Sequence, residues 1–465
     1  MRTPSRSIRS SLASLRSCTT NSLKAKESGN RFDRIWHRYG VAERWEESRW
    51  GDLVSFEYGS PVTAYAANGP YPVYGTNGPF ERTGEYIDQG PSVIIGRKGA
   101  YRGVHFAPGP FWAVDTGFFI RPRVEFDMRW AYYSLLTQDI KGLDSGSAIP
   151  STSRDSLIRL PVLVPPIEEQ RAIASVLGAL DDKIELNRRM NETLEALARA
   201  IFTSWFVDFD LVRARAEGRQ PANMDAETAA LFPDSFEDSP LGPIPSGWHA
   251  GELGDVVSMN IRSRLPEYPH REIKYVDIAS VTRGRLEAAA PMPLDAAPSR
   301  ARRLVKDGDV IWSCVRPNRR SYLRIDHPPD NLVVSTGFVV LTPTVVPSSY
   351  LYLSVTTDEF VDYLTANADG SAYPAVRPEN FDRSPMLIPE NPPLRAFDDR
   401  VLPMLRRMAA NERENNTLAV IRDSLLPKLV SGDIRIGPGA IPKARVTSSM
   451  RLASSGDGPS SYGGA

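Results

Sequence analysis

The chain has 465 residues, 41% hydrophobic and 24% charged, enough for two or more ordinary cores, and its 56 basic residues are balanced by 56 acidic ones. That balance excludes a uniformly basic nucleic-acid binder. Two cysteines, Cys18 and Cys314, and five scattered histidines are too few ligands for a disulfide framework or a Cys/His metal site, which fits a reducing cytoplasm, and no apolar run approaches the roughly eighteen residues of a membrane span.

In chain order, residues 1–40 read as a disordered basic extension: within residues 1–30, Arg2, Arg6, Arg9, Arg16, Lys24 and Lys26 stand against Glu27 alone, without a strong amphipathic face. Residues 41–160 read as a mixed domain of short strands and turns. Its signals are Tyr71-Pro72, Asn77-Gly78 and Gly99 around the apolar run Val93-Ile94-Ile95, then a helix near Arg129–Leu136. A helical region follows at 161–215, with one long helix from Pro166 to about Phe206. Residues 216–245 read as an acidic, proline-containing linker, and 246–385 as a second mixed domain. A second helical region, 386–436, has its long helix from about Leu394 to Leu429, and residues 437–465 form a Gly/Ser/Pro-rich disordered tail.

The two halves repeat at an offset of about 224 residues. Ser145-Gly146-Ser147-Ala148-Ile149-Pro150 returns as Asp369-Gly370-Ser371-Ala372-Tyr373-Pro374, and Leu160-Pro161-Val162-Leu163-Val164-Pro165 as Ser384-Pro385-Met386-Leu387-Ile388-Pro389. Such duplication predicts a pseudo-two-fold α+β molecule. Charge is segregated: Arg300 to Arg324 holds eight basic residues against two acidic, whereas Glu168 to Asp210 holds five basic against nine acidic. The mixed regions therefore suit a polyanion and the helices suit protein.

Heptad steps from Ile173 pass through Leu177, Leu180, Ile184, Asn187, Asn191, Leu194, Ala198, Ile201 and Trp205. The same steps from Phe397 pass through Val401, Met404, Met408, Asn411, Asn415, Leu418, Arg422, Leu425 and Leu429. Each seam has two asparagines at its centre and the second has one charged lapse, Arg422. Antiparallel packing with paired numbers summing to about 602 sets Asn187 opposite Asn415, Asn191 opposite Asn411, Trp205 opposite Phe397 and Ile173 opposite Leu429. A one-heptad slip would bury an amide against aliphatic carbon at a cost on the order of 1–3 kcal/mol, so the asparagines are expected to pin the register. Helices of about 38 residues span roughly 57 Å, a ruler suited to a regular polymer such as DNA.

The run Leu160-Pro161-Val162-Leu163-Val164-Pro165-Pro166-Ile167-Glu168-Glu169-Gln170-Arg171, with Leu180-Asp181-Asp182-Lys183-Ile184-Glu185-Leu186-Asn187 and Trp205-Phe206-Val207-Asp208-Phe209-Asp210, resembles the central conserved region of specificity subunits of type I restriction-modification systems. The segment Ser424-Leu425-Leu426-Pro427-Lys428-Leu429-Val430-Ser431-Gly432-Asp433-Ile434 is similar to that family's closing segment. The distal helix entrance, Asn391-Pro392-Pro393-Leu394-Arg395, departs from the central one. The resemblance implies two target-recognition domains, 41–160 and 246–385, separated by two long helices packed as an antiparallel coiled coil. It further implies a noncatalytic subunit with double-stranded DNA, two methyltransferase subunits and restriction (motor-nuclease) subunits as partners. S-adenosylmethionine, ATP and Mg are then expected on the partners and no cofactor on this chain.

Candidate DNA contacts follow from local chemistry. Arg97, Lys98, Tyr101 and Arg102 lie on a glycine-flanked turn after Val93-Ile94-Ile95, and Arg316, Asn318, Arg319, Arg320 and Tyr322 follow the apolar run Asp309-Val310-Ile311-Trp312 in the equivalent place. Arg suits guanine, Asn suits adenine, and Lys98 suits a phosphate. Either loop alone reads as a solvated turn; recurrence in both copies favours DNA. The Gly-Ser-Ala loops at 145–148 and 369–372 read equally as phosphate cradles or as structural junctions. Asn391-Pro392-Pro393-Leu394 lacks the aromatic of an amino-methyltransferase motif and reads as a helix entrance, and no phosphate loop of the G-x-x-x-x-G-K-[ST] type is present. His105 and Asp115 read as structural. The alternatives are a DNA adenine methyltransferase, which would need those missing motifs, and a coiled-coil scaffold without a DNA role.

Overall fold

The computed structural model describes residues 45–99, 103–143, 150–221, 224–264, 268–287, 289, 291–370 and 373–436. They form two compact units: the chain up to Ala179 together with the part from Asp423 onward, and Leu180–Arg422.

The first unit contains β1 (Glu46–Arg49), β2 (Val54–Tyr58), β3 (Tyr71–Gly75), β4 (Gly78–Thr83), β5 (Ser92–Gly96), β6 (Val104–Ala107), β7 (Trp112–Ala113), β8 (Gly117–Pro122) and β9 (Pro161–Val164). One sheet has the order β2-β8-β5-β6 and a second the order β4-β3-β7, with β3 and β7 parallel; β1 pairs with β9. The run Ser92-Val93-Ile94-Ile95-Gly96 is buried throughout because β5 lies inside its sheet. The helix Met128–Leu136 starts where the Asp127 carboxylate accepts bonds from the amides of Arg129 and Trp130, satisfying donors that a first turn leaves open. It delivers Trp130 against Trp50 in the core, with ring centroids 6.0 Å apart.

The second unit holds β10 (Phe236–Ser239), β11 (Gly242–Pro245), β12 (His249–Glu252), β13 (Val257–Met259), β14 (Glu272–Val276), β15 (Val281–Thr282), β16 (Arg285–Leu286), β17 (Pro291–Pro293), β18 (Ala301–Leu304), β19 (Val310–Ser313), β20 (Tyr322–Arg324), β21 (Leu332–Ser335), β22 (Phe338–Pro343) and β23 (Pro385–Ile388). Its sheets repeat the plan of the first unit. The order β13-β22-β19-β20 matches β2-β8-β5-β6, the parallel pair β14 and β21 matches β3 and β7, and β12-β23 matches β1-β9. An added edge strand, β18, and an inserted hairpin, β15-β16, distinguish the second copy.

Residues 216–245, expected as a linker, are structured where described. The short helix Ala226–Ala229, capped by Asp225, and the hairpin β10-β11 pack Phe232 and Ile244 into the core of the second unit, with Phe232 5.0 Å from Trp205. Two apolar anchors among acids and prolines suffice to fix the segment.

The long helices run Ile167–Phe206 and Asn391–Ser431. Within the second unit they pair as the heptad register requires. Asn187 Nδ2 donates to Asn415 Oδ1 at 3.0 Å, Asn411 Nδ2 donates to Asn191 Oδ1 at 2.7 Å, and Trp205 lies 5.8 Å from Phe397. Flanking carboxylates extend the layer, Glu414 accepting from Asn187 (2.8 Å) and Glu412 from Asn191 (3.0 Å), while Asn411 Oδ1 and Asn415 Nδ2 are buried without a hydrogen-bond partner. The lapse at Arg422 is answered by Asp181 at 2.8 Å, a charge opposite a charge. In the first unit Ile173 and Leu177 share a core with Leu425 and Leu429.

The family-like run at the first helix entrance is structural where it can be followed. Glu169 holds Arg435 through two short bonds, 2.6 and 2.7 Å, and accepts from the Trp45 indole at 2.9 Å. The Gln170 amide joins the Asp127 backbone to the Pro165 carbonyl. Among the described residues no helix is long and apolar enough to cross a membrane.

Candidate nucleic-acid interface

Arg97 and Lys98 extend from the end of β5 into its connection with β6, and the stretch Cys314–Ser321 connects β19 to β20, the corresponding strands of the second unit. The two basic loops thus occupy the same topological position. They are also held alike. In the first unit Thr152 N donates to Arg97 O (2.9 Å) and Gly99 N to Pro150 O (2.9 Å). In the second, Val376 N donates to Cys314 O (2.8 Å) and Arg316 N to Pro374 O (2.7 Å). Pro150 and Pro374 are equivalents in the repeat, so the segment following each Gly-Ser-Ala loop is a backbone splint for the basic loop. This supports a structural role for that part of the repeat; residues 144–149 and 371–372 lie outside the described residues.

The side chains on the first loop divide by exposure. Lys98 is exposed. Arg97 is half-buried, its guanidinium 5.0 Å from the Tyr58 ring centroid and 3.3 Å from the Asp115 carbonyl oxygen, which orients it without neutralising it. Tyr101 and Arg102 lie outside the described residues.

The second loop is more rigidly built. Arg316 and Arg320 adopt left-handed backbone angles, φ of 52° and 56°, on either side of a one-turn helix, Pro317–Arg319. Arg316 stacks on the exposed Tyr373 ring at 4.1 Å, while Asn318 and Arg319 are exposed. Arg320 pairs with Asp358, whose carboxyl that guanidinium holds below its usual range. Its role shifts toward fixing the loop. Tyr322, expected as a contact, is corrected to a core residue: it is fully buried on β20 against Trp312, and burial pushes its phenol pKa up. The cause is alternation along β20, where Tyr322 and Arg324 point inward.

Sequence reasoning missed Arg199 on the first long helix. Its guanidinium is held by Glu195 (2.8 Å) and faces the Tyr322 hydroxyl (3.4 Å) and the Thr356 carbonyl oxygen (3.4 Å), tying the helix to the base of the loop. No periodicity betrays the contacts with Tyr322 and Thr356, which lie over 120 residues away in the chain. The basic stretch 300–324 is not uniformly free either, since Arg324 is buried and paired with Asp326 at 3.1 Å. Among the described residues, Asp307, Asp326 and His327 come close enough to share a metal, but Arg324 and Arg413 already occupy Asp326, which makes the group an ion-pair node. Burial pushes the Cys314 thiol up to about 11, so it is no activated nucleophile.

Comparison with known proteins places this geometry. Residues 42–196 match the family model described as "Type I restriction modification DNA specificity domain". The chain is 22% identical over 306 residues to the type I restriction enzyme MjaIX specificity subunit of Methanocaldococcus jannaschii, covering 65% of this chain and 67% of that one. It is 24% identical over 349 residues to the HindI specificity subunit of Haemophilus influenzae, covering 65% and 74%. The crystal structure of the type I restriction-modification system S subunit from M. genitalium shares the fold, with a TM-score of 0.57 at 17% identity over 84% of this chain and 97% of that one. Residues 42–196 are therefore similar to the type I restriction-modification DNA specificity domain, and the chain as a whole is similar to specificity subunits of those systems.

Proposed function

We propose that the chain is the noncatalytic specificity subunit of a type I restriction-modification complex, reading a bipartite, asymmetric DNA site through one half-site per recognition domain. The observation that carries this reading is the recurrence of one splinted basic loop at the same strand connection in both units. Side chains on it suit base edges (Arg97, Asn318, Arg319) and a phosphate (Lys98). The outward faces of the long helices are the docking surface we assign to two methyltransferase subunits and, through them, the restriction subunits. Those partners would supply the S-adenosylmethionine, ATP and Mg chemistry, each methyltransferase flipping an adenine from its half-site. Mapping N6-methyladenine across a genome expressing this chain with its partner methyltransferase tests the proposal. A single split motif is the expected result, and methylation without a motif would overturn it. A scaffold without a DNA role would show no salt-sensitive duplex binding, since no counterions would be released.

A further inference from the structure

The strands β3 and β4 are joined by a tight turn in which Gly75 faces Gly78, leaving Thr76 and Asn77 at the tip. That tip is bonded to both ends of the basic loop. The Thr76 hydroxyl lies 3.0 Å from the Lys98 carbonyl oxygen and 3.1 Å from that of Thr116, while the Thr76 carbonyl accepts from Gly103 N at 3.2 Å and from His105 Nε2 at 3.2 Å. A carbonyl can only accept, so His105 carries its hydrogen on Nε2. Gly78, at φ 105°, lets the turn pass the His105 ring, which lies 3.2 Å from where a side chain would begin. Asn77, which follows Thr76 at the tip, is exposed.

The second unit makes the same approach with a different element. Between β14 and β17, the counterparts of β3 and β4, it inserts the hairpin β15-β16. At its tip Gly284 N donates to the carbonyl of Tyr322, the first residue of β20 and the one that follows the second basic loop, at 2.9 Å, and Arg283 bridges to the same residue. Gly284, at φ 69°, has the Tyr352 hydroxyl 2.7 Å from where a side chain would begin, so a larger residue would lift the tip away. Arg283 is exposed. It also helps Arg320 lower the Asp358 carboxyl, which places its charge near the basic loop.

We propose that each unit reads its half-site with two loops rather than one, and that the second is this tip, with Asn77 contacting an adenine in one half-site and Arg283 a guanine in the other. The assignment follows from paired donors and acceptors: an asparagine amide matches adenine N6 and N7, and a guanidinium matches guanine O6 and N7. The inference rests on the DNA-specificity reading above.

The test uses the full chain with its partner methyltransferase and a set of duplexes in which each base pair of the mapped site is changed in turn. Asn77→Ala is expected to lower the preference at one A·T pair roughly 5- to 150-fold, leaving the other half-site and the affinity for an unrelated duplex unchanged. Arg283→Ala is expected to do the same at one G·C pair of the other half-site. Variants that keep the wild-type preference at every pair overturn the inference. So does an equal loss on all duplexes, the signature of a phosphate contact. A wild-type complex with no preferred duplex overturns the specificity reading itself, and is distinguished from the other outcomes before any variant is made.

Discussion

Asn187 is fully buried and Asn411 is 1% exposed, so each amide has exchanged water for a partner on the other helix. Replacing Asn187 with Leu strands the Asn415 amide and removes a donor from Glu414, and should cost about 1–3 kcal/mol in chemical denaturation. Converting both Asn187 and Asn415 to Leu should recover part of that loss; a double variant no better than the sum of the two singles would show that the amides are not coupled. These four asparagines were legible because heptad spacing is local information. Tyr322 and Arg320 were not. A phenol at the end of a basic run looks the same in sequence whether its strand turns it in or out, and Arg320 finds Asp358 only once the helix that begins at Asp358 is docked.

Ion pairs fasten the second mixed domain to the second long helix, Arg413 reaching Asp326 at 3.0 Å and Arg406 reaching Asp307 at 3.8 Å. Burial alone would raise the Asp326 pKa, but bonds from Arg413, Arg324 and His327 outweigh it and hold the carboxyl below its usual range. A depressed carboxylate adds stability above its unfolded pKa of about 3.9 and loses it as pH falls through the lower folded value. Asp326→Asn should therefore be less stable than wild type near pH 7, with the gap closing below about pH 4 in urea denaturation. A gap independent of pH would mean that Asp326 acts by shape alone. Removing one heptad from each helix between Ala179 and Ala198 and across the facing stretch 404–423 should change the number of unspecified base pairs between half-sites and leave their letters alone, as read by methylation mapping. The helices showed themselves in the sequence because their pattern is long and periodic. The hairpin β10-β11 did not, since its apolar residues, Phe236, Leu241 and Ile244, stand singly in a stretch whose composition resembles a linker.

Across the whole chain, the two units share a strand plan although few residues outside the repeated segments match. Exchanging residues 50–160 for those of a relative with a different target should alter one half-site and leave the other intact; if both changed, the modular account would fail. The duplication was legible at 145–150 and 369–374 because Gly146-Ser147-Ala148 and Pro150 return as Gly370-Ser371-Ala372 and Pro374. The strand order became visible only in three dimensions, since short strands of differing length carry no shared period. The frame of the second loop has a consequence for how new targets arise. Arg316, Arg320 and Tyr322 fix its path through backbone angle, ion pair and core packing, whereas Asn318 and Arg319 protrude without structural duty to the core. On the proposed reading, a lineage can alter part of the sequence it recognises by exchanging these two outward residues, without renegotiating the fold that presents them.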